Sequence, residues 1–205
     1  ANLAHEIRNP LNSINLNLEL LEEDLAGDNG DAADSLTSTR QEVGRLARLV
    51  SDFLTYARPV EPALSSVPVR ELLSDVSEFL RGEARRQGAH LRLRAEADDV
   101  EVRGDAAQLR QVLLNLVLNA VQAMPDGGTV RLTAANVAGG ESGLDGRPLP
   151  DDRVRLTVAD EGVGIAADML PRVFDPFFTT KQHGTGLGLA TVYSIIRRHG
   201  GEIAI

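Results

Sequence analysis

The chain has 205 residues, 21 basic and 30 acidic, giving a formal charge of −9, and it contains no cysteine. That length exceeds one compact domain without reaching two full-sized ones, and the missing thiols exclude a disulfide scaffold, thiolate zinc and cysteine nucleophiles. Hydrophobic residues at 42% and charged ones at 25% indicate an ordinary folded protein, and the acidic balance argues against nucleic acid as a partner.

No apolar run approaches the roughly 20 residues of a bilayer crossing, and no charged-then-apolar leader stands at the amino end. Ala1 to Leu25 carries a heptad seam, with Ala4, Leu11, Leu18 and Leu25 in one row and Ile7, Ile14 and Leu21 in the other. This spacing predicts a helix packed against nearly parallel helices. Ala26 to Asp34 breaks the pattern with Gly, Asn and Asp. Ser35 then caps a second helix, in which Leu36, Val43, Val50 and Ala57 form one row of the seam and Thr39, Leu46 and Phe53 the other, until Pro59 and Pro62 end it. Such a hairpin buries its stripe most simply against a second copy, as an intermolecular four-helix bundle; the alternative is packing against the rest of the chain.

Beyond the prolines the pattern changes. Val69 to Arg86 is predicted as an amphipathic helix, His90 to Ala95 and Asp99 to Arg103 as strands, and Ala106 to Met124 as an apolar helix. Thr129 to Asn136 and Val154 to Ala159 are predicted as paired strands, with Ala138 to Asp152 a surface loop between them. A lid-like stretch precedes a last helix, Leu187 to His199, which stops at Gly200. Helices mixed with mostly antiparallel strands predict an α+β fold, a helical hairpin followed by an α/β sandwich.

Five groups of residues carry chemistry. Asp160 leaves a strand and is followed by Gly162 and Gly164; as a pure acceptor it suits the amino group of adenine, although the same residues also make an ordinary acidic turn. Asn115 and Asn119 share one face of the apolar helix, where their oxygens suit Mg²⁺, or else satisfy a loop or each other. Gly184-Thr185-Gly186-Leu187-Gly188 opens the last helix, a place where bared N–H groups hold phosphates. The spacing is neither the dinucleotide nor the P-loop pattern. Phe174-Asp175-Pro176-Phe177-Phe178 precedes it as a hydrophobic hinge, and Lys181 is placed to offset phosphate charge. At the amino end His5 falls beside the apolar row on its exposed side, a competent nucleophile with Glu6 next to it to take its proton, although a lone exposed histidine usually has no role. Pro10 removes the N–H that the Glu6 carbonyl would accept and predicts a bend.

Together these segments resemble the core of a bacterial sensor histidine kinase. HEIRNPLN resembles the phospho-acceptor box, QLRQVLLNLVLNAVQAM the N box, DEGVGI the first glycine box, FDPFF the F box and GTGLGL the second glycine box, all in family order across nearly the whole chain. The resemblance implies a dimerisation and phosphotransfer hairpin at 1–58, a linker at 59–66 and an ATP-binding domain of the GHKL type at 67–205. It implies that His5 is phosphorylated, that Glu6 is its acid–base partner and that Asn9 places water for dephosphorylation. It further implies ATP contacts from Asn115, Asn119, Asp160, Gly162, Gly164, Ile165, Phe174, Lys181 and Gly184 to Gly188, with Asn119 the Mg²⁺ ligand. The expected function is a histidine autokinase that forms a homodimer and passes phosphate to a response-regulator receiver domain in the cytoplasm, touching a membrane only through segments outside this chain.

Two departures from the family pattern stand out. The chain looks cut at both ends, lacking a sensor region and part of the sheet. Gln122 also stands where many relatives carry a basic residue one turn after the metal asparagine, which shifts phosphate neutralisation to Mg²⁺ and Lys181. Two other functions compete: a GHKL ATPase like gyrase, MutL or the heat-shock chaperones, and a nucleotide-binding scaffold without transfer. The first places a glutamate where this sequence has Asn115, and the intact His5-Glu6 pair disfavours the second. Residues 58–66 are expected to act as a hinge.

Overall fold

The computed structural model describes residues 11, 12, 14–16, 18, 19, 21–23, 36–40, 43, 44, 46, 47, 50, 60–95, 100–181 and 184–205. His5, Glu6 and Asn9, and the expected loop at 26–34, lie outside the described residues. The chain divides into two compact units, Ala1–Pro59 and Val60–Ile205.

In the first unit the described residues between 11 and 23 and between 36 and 50 are helical. Glu22 joins the two stretches, accepting from Thr37 Oγ1 at 2.8 Å and from Arg40 Nη1 at 2.9 Å. The late position of Glu22 in one stretch and the early positions of its partners in the other are those of an antiparallel hairpin. None of the described residues of this unit is buried, and Ile14, Leu21 and Leu46 of the predicted apolar rows are exposed. Leu11, Leu18, Leu36, Val43 and Val50 of the same rows are half-buried.

The second unit begins with strand β1 (Ser65–Pro68), then helix α1 (Val69–Arg86), strands β2 (Ala89–Ala95) and β3 (Glu101–Gly104), and helix α2 (Ala106–Gln122). Strands β4 (Gly128–Val137) and β5 (Arg153–Ala159) follow, then a 3₁₀ turn at Leu170–Arg172 and helix α3 (Gly188–Arg198). Two sheets result. In one, β1 runs antiparallel to β3; in the other the order is β2-β4-β5. β4 pairs antiparallel with β5, as expected for neighbours joined by a loop, but β2 and β4 run parallel, with Ala89 opposite Gly128. A parallel pair requires a crossover, and the chain supplies it as β3 and α2.

The apolar spacing of α1 buries Leu72, Leu73, Val76, Leu80 and Ala84, while α2 buries Leu109, Leu113, Val117, Ala120 and Val121. Both close over Val130, Leu132 and Ala134 of β4 to form the main core. A second face of α2 presents Val112 to Val192 and Ile195 of α3. Asp105 caps α2 by accepting from Ala107 N at 3.0 Å and Gln108 N at 3.1 Å. The result is a mixed helix-and-sheet fold.

One expectation is corrected here. Residues 59–66 are not simply a linker: Ser65 and Ser66 already belong to β1, paired with Gly104 and Arg103. Ala63 N donates to Asp105 Oδ2 at 3.0 Å, and Val60 O accepts from Arg198 Nη1 at 2.6 Å. Residues with their backbone groups committed in this way are not free to swing, so the hinge expected at 58–66 does not extend into these bonded positions.

Candidate nucleotide site

The site grows from the exposed side of α2. Asn115 and Asn119, one turn apart, are half-buried beside the core-facing Val112, Val117 and Ala120. A half-buried amide needs a partner, and both find one on the chain that follows the lid. Asn115 Nδ2 donates to Gly188 O at 3.3 Å. Asn119 Oδ1 accepts from Lys181 Nζ at 2.8 Å, and the same ammonium donates to Gln122 Oε1 at 2.6 Å. A Cβ on Gly188 would lie 3.8 Å from Asn119 Nδ2 and 4.0 Å from Asn115 Cγ, so both asparagines reach the start of α3. Among the described residues the partners of the two asparagines are the lid lysine and the start of α3 rather than each other.

Lys181 is held by two neutral oxygens, and burial pushes its ammonium below the usual lysine range although part of the side chain meets solvent. The ammonium is a cation standing on two hard amide oxygens, the donor type that Mg²⁺ takes. Among the described residues no group of three or more His, Asp or Glu side chains could hold a metal ion. The amide oxygens on α2 fit a metal that keeps water and phosphate oxygens as its other ligands.

Asp160 leaves β5 exposed, and its Oδ1 accepts from Gly162 N at 2.9 Å. The turn is sewn to the end of α2: Val163 N donates to Ala123 O at 3.0 Å, and Ala123 N to Asn119 O at 3.0 Å. A Cβ at Gly162 would come within 2.6 Å of Ala123 O, so only glycine lets the two segments approach this closely. Asp160 thus stands one helical turn beyond Asn119, joined through Ala123. Gly164 and Ile165 continue the loop in the open.

Glu161, which carries no role in the sequence reading, fixes this loop from the other side. Its Oε1 accepts from Arg131 Nη1 at 2.8 Å and its Oε2 from Thr129 N at 3.1 Å. The Arg131 guanidinium, then the Thr129 N–H, hold its carboxyl below the usual range. Its adjacency to Asp160 is visible in the sequence, but its partners lie across the sheet and leave no local trace.

The lid is built on α3. Phe174 lies against Tyr193 with ring centroids 5.4 Å apart, and Phe178 receives the Arg172 guanidinium at 4.7 Å. Phe177 takes a positive φ of 66° and donates its N–H to Gly186 O at 2.9 Å. Gly186, at φ 67°, is pressed so closely that a Cβ would lie 2.4 Å from the Phe177 carbonyl carbon. Lys181 N donates to Thr179 Oγ1 at 3.1 Å, and Gly184 N to Lys181 O at 3.2 Å. Thr185 Oγ1 accepts from Leu187 N at 3.3 Å, and Leu187 is fully buried. Leu187, the residue at the N-terminal cap of α3, makes no side-chain capping bond of its own, and a helix start of this kind suits an anion. Asn115, Asn119, Lys181 and the segment Gly184 to Gly188 are therefore brought together, with Asp160 and Gly162 at the next turn of α2.

Two family models match the chain. Residues 1–62 match the family model described as the His Kinase A (phospho-acceptor) domain, and residues 104–205 the histidine kinase-, DNA gyrase B- and HSP90-like ATPase. The chain is 40% identical over 206 residues to the sensor histidine kinase ZraS of Escherichia coli, covering all of this chain and 41% of that protein. The crystal structure of full-length ShkA in complex with AMPPNP aligns at a TM-score of 0.76 and 32% identity, over 100% of this chain and 42% of that one. Histidine kinase ThkA, in its complex with response regulator protein TrrA, aligns at a TM-score of 0.62 and 25% identity, over 98% of this chain and 54% of that one. The chain thus spans about two fifths of its curated relative (41%).

Proposed function

Because this chain belongs to the sensor histidine kinases and carries both their phospho-acceptor and their GHKL ATPase segments, we propose that it is the ATP-dependent autokinase core of a two-component system. The observation that carries the reading is the meeting of Lys181, Asn119, Asn115 and the start of α3 in one place. Asp160 accepts from the adenine amino group through its Oδ2, its Oδ1 being committed to Gly162. The phosphates lie toward the start of α3 and Lys181, with the loop from Gly184 to Gly188 against them. Gly164, Ile165 and Phe174 line the approach. The Asn119 oxygen would hold Mg²⁺, which would supply charge neutralisation on the phosphates.

His5 attacks the γ-phosphorus in line: an N–P bond forms, the bond to the β,γ-bridging oxygen breaks, and ADP leaves. Glu6 takes the proton from the other ring nitrogen, and Asn9 positions water when phosphate is later removed from the partner. Residues 1–58 are the dimerisation and phosphotransfer hairpin, and a second copy covers the exposed apolar row. The receiver domain of a response regulator, the kind of partner seen with ThkA, takes the phosphate on an aspartate. ATP and receiver domains are cytoplasmic, and this reading places the chain there.

Hydrolysis without transfer is the less favoured reading. An ATPase of this fold needs a base at position 115, whereas the Asn115 amide cannot take a proton and directs its N–H at Gly188 O. Incubation with γ-labelled ATP and Mg²⁺ is expected to give an acid-labile, base-stable label that His5→Gln abolishes. Label persisting in that variant would reject the acceptor, and phosphate release without any label would favour the ATPase.

A further inference from the structure

We propose that Arg198, assisted by Gln108, is a positioning residue for phosphoryl transfer, gripping the backbone at Val60 to fix where the chain from the hairpin joins the nucleotide-binding unit. The inference rests on the kinase reading above.

The grip is directed at main chain. Arg198 Nη1 donates to Val60 O at 2.6 Å and Gln108 Nε2 to the same oxygen at 3.3 Å. The guanidinium is pre-aimed, since its Nε donates to Ser194 O at 3.2 Å and its Nη2 to Ser194 Oγ at 3.4 Å. Gln108 accepts a cost to be there, because its own Oε1 is buried without a partner. Three residues on, Ala63 N donates to Asp105 Oδ2. Asp105 N in turn donates to His199 Nε2 at 3.0 Å, and His199 Nδ1 bonds Ile195 O at 2.9 Å.

The Val60 side chain is 73% exposed, so burial does not explain the contact. A carbonyl in that position would otherwise bond to water, and two directed donors therefore fix position more than they add stability. The helices that grip residues 60–63 are those that form the nucleotide site. α2 carries Asp105 and Gln108 at its start and Asn115 and Asn119 further along. α3 carries Gly188 at its start and Arg198 at its end, about 15 Å away at 1.5 Å per residue. Transfer from a pocket on one unit to an imidazole on the other requires reacting atoms to come within about 3.5 Å in line. A connector rooted in the frame that holds the phosphates narrows the set of arrangements to be searched.

The test uses the full chain. Arg198→Ala and the double variant Gln108→Ala/Arg198→Ala are expected to lower the maximal rate of His5 labelling tenfold or more. KM for ATP, nucleotide affinity by calorimetry and melting temperature should stay unchanged, and Arg198→Lys should restore much of the rate because one donor suffices for one carbonyl. With no native cysteine, spin labels at Ser38→Cys and Ser74→Cys report the distance distribution between the two units. It should broaden when Arg198→Ala is added. An unchanged labelling rate, an unchanged distribution, or a parallel loss of nucleotide affinity would each overturn the proposal. Should the unsubstituted protein bind nucleotide yet never label, the kinase reading fails, and the distance distributions alone then decide whether the grip exists.

Discussion

Lys181 is the residue on which the site's electrostatics turn. Its ammonium rests on two uncharged amide oxygens, and a triphosphate offers it a stronger acceptor. Hydrogen bonds to charged groups contribute about 1.5–3 kcal/mol, so Lys181→Met should weaken ATP binding by about tenfold or more. Calorimetry that finds equal affinity would remove Lys181 from the pocket. Asp160 divides its labour between loop and ligand. Asp160→Asn keeps an oxygen for Gly162 N but turns an N–H donor toward the adenine amino group, so ATP binding should fall sharply while the melting temperature holds. Asp105 is a structural counterpart. The Gln108 N–H, then the Ala63 and Ala107 N–H groups, hold its carboxyl below the usual range. A depressed native pKa means the unfolded state binds the proton more tightly, so the stabilisation is complete above an ordinary aspartate pKa of about 3.9 and is lost as pH falls through the native value. Asp105→Asn should therefore show a flatter acid limb in thermal melts recorded below about pH 4.

At the scale of elements, the lid depends on the Gly186–Phe177 contact. Gly186→Ala adds a Cβ onto the Phe177 carbonyl and strains a positive φ, a cost of about 1–3 kcal/mol. Nucleotide affinity is expected to fall with this shift of the loop, while Leu113→Ala in the core should cost about 2–5 kcal/mol of stability instead. The elements themselves were unevenly legible. The apolar spacing of Val69–Arg86 gives α1 its observed bounds because a long one-sided stripe has only one way to be buried. Strand β1 escaped notice because Ser65–Pro68 buries only Val67 and ends in proline. The parallel register of β2 on β4 is set by distant pairing, which alternation within one strand does not encode. The same distinction runs through the site. Asn115, Asn119, Asp160 and the glycine-rich lid stand in short motifs, whereas the Lys181–Gln122 bond spans 59 positions and Arg131–Glu161 spans 30. Periodicity and local spacing are silent about such pairs.

For the whole molecule, the open apolar row on the hairpin is the feature that predicts assembly. Ile14→Glu with Leu21→Glu would place charges in the bundle seam, where an unpaired charge is strongly disfavoured. Sedimentation should show the unsubstituted chain as a dimer and this double variant as a folded monomer with its nucleotide affinity intact. A monomer without substitution would exclude the bundle.

The crossover joining β2 to β4 has an additional consequence. The parallel pair forms only with α2 in place, and α2 carries Asn115 and Asn119. Ligand recognition is therefore tied to the route by which the sheet closes: a form of the second unit that melts α2 gives up the parallel pair together with both asparagines. Heating should extinguish nucleotide capture and sheet circular dichroism along one curve, and bound ATP should shift both by the same number of degrees.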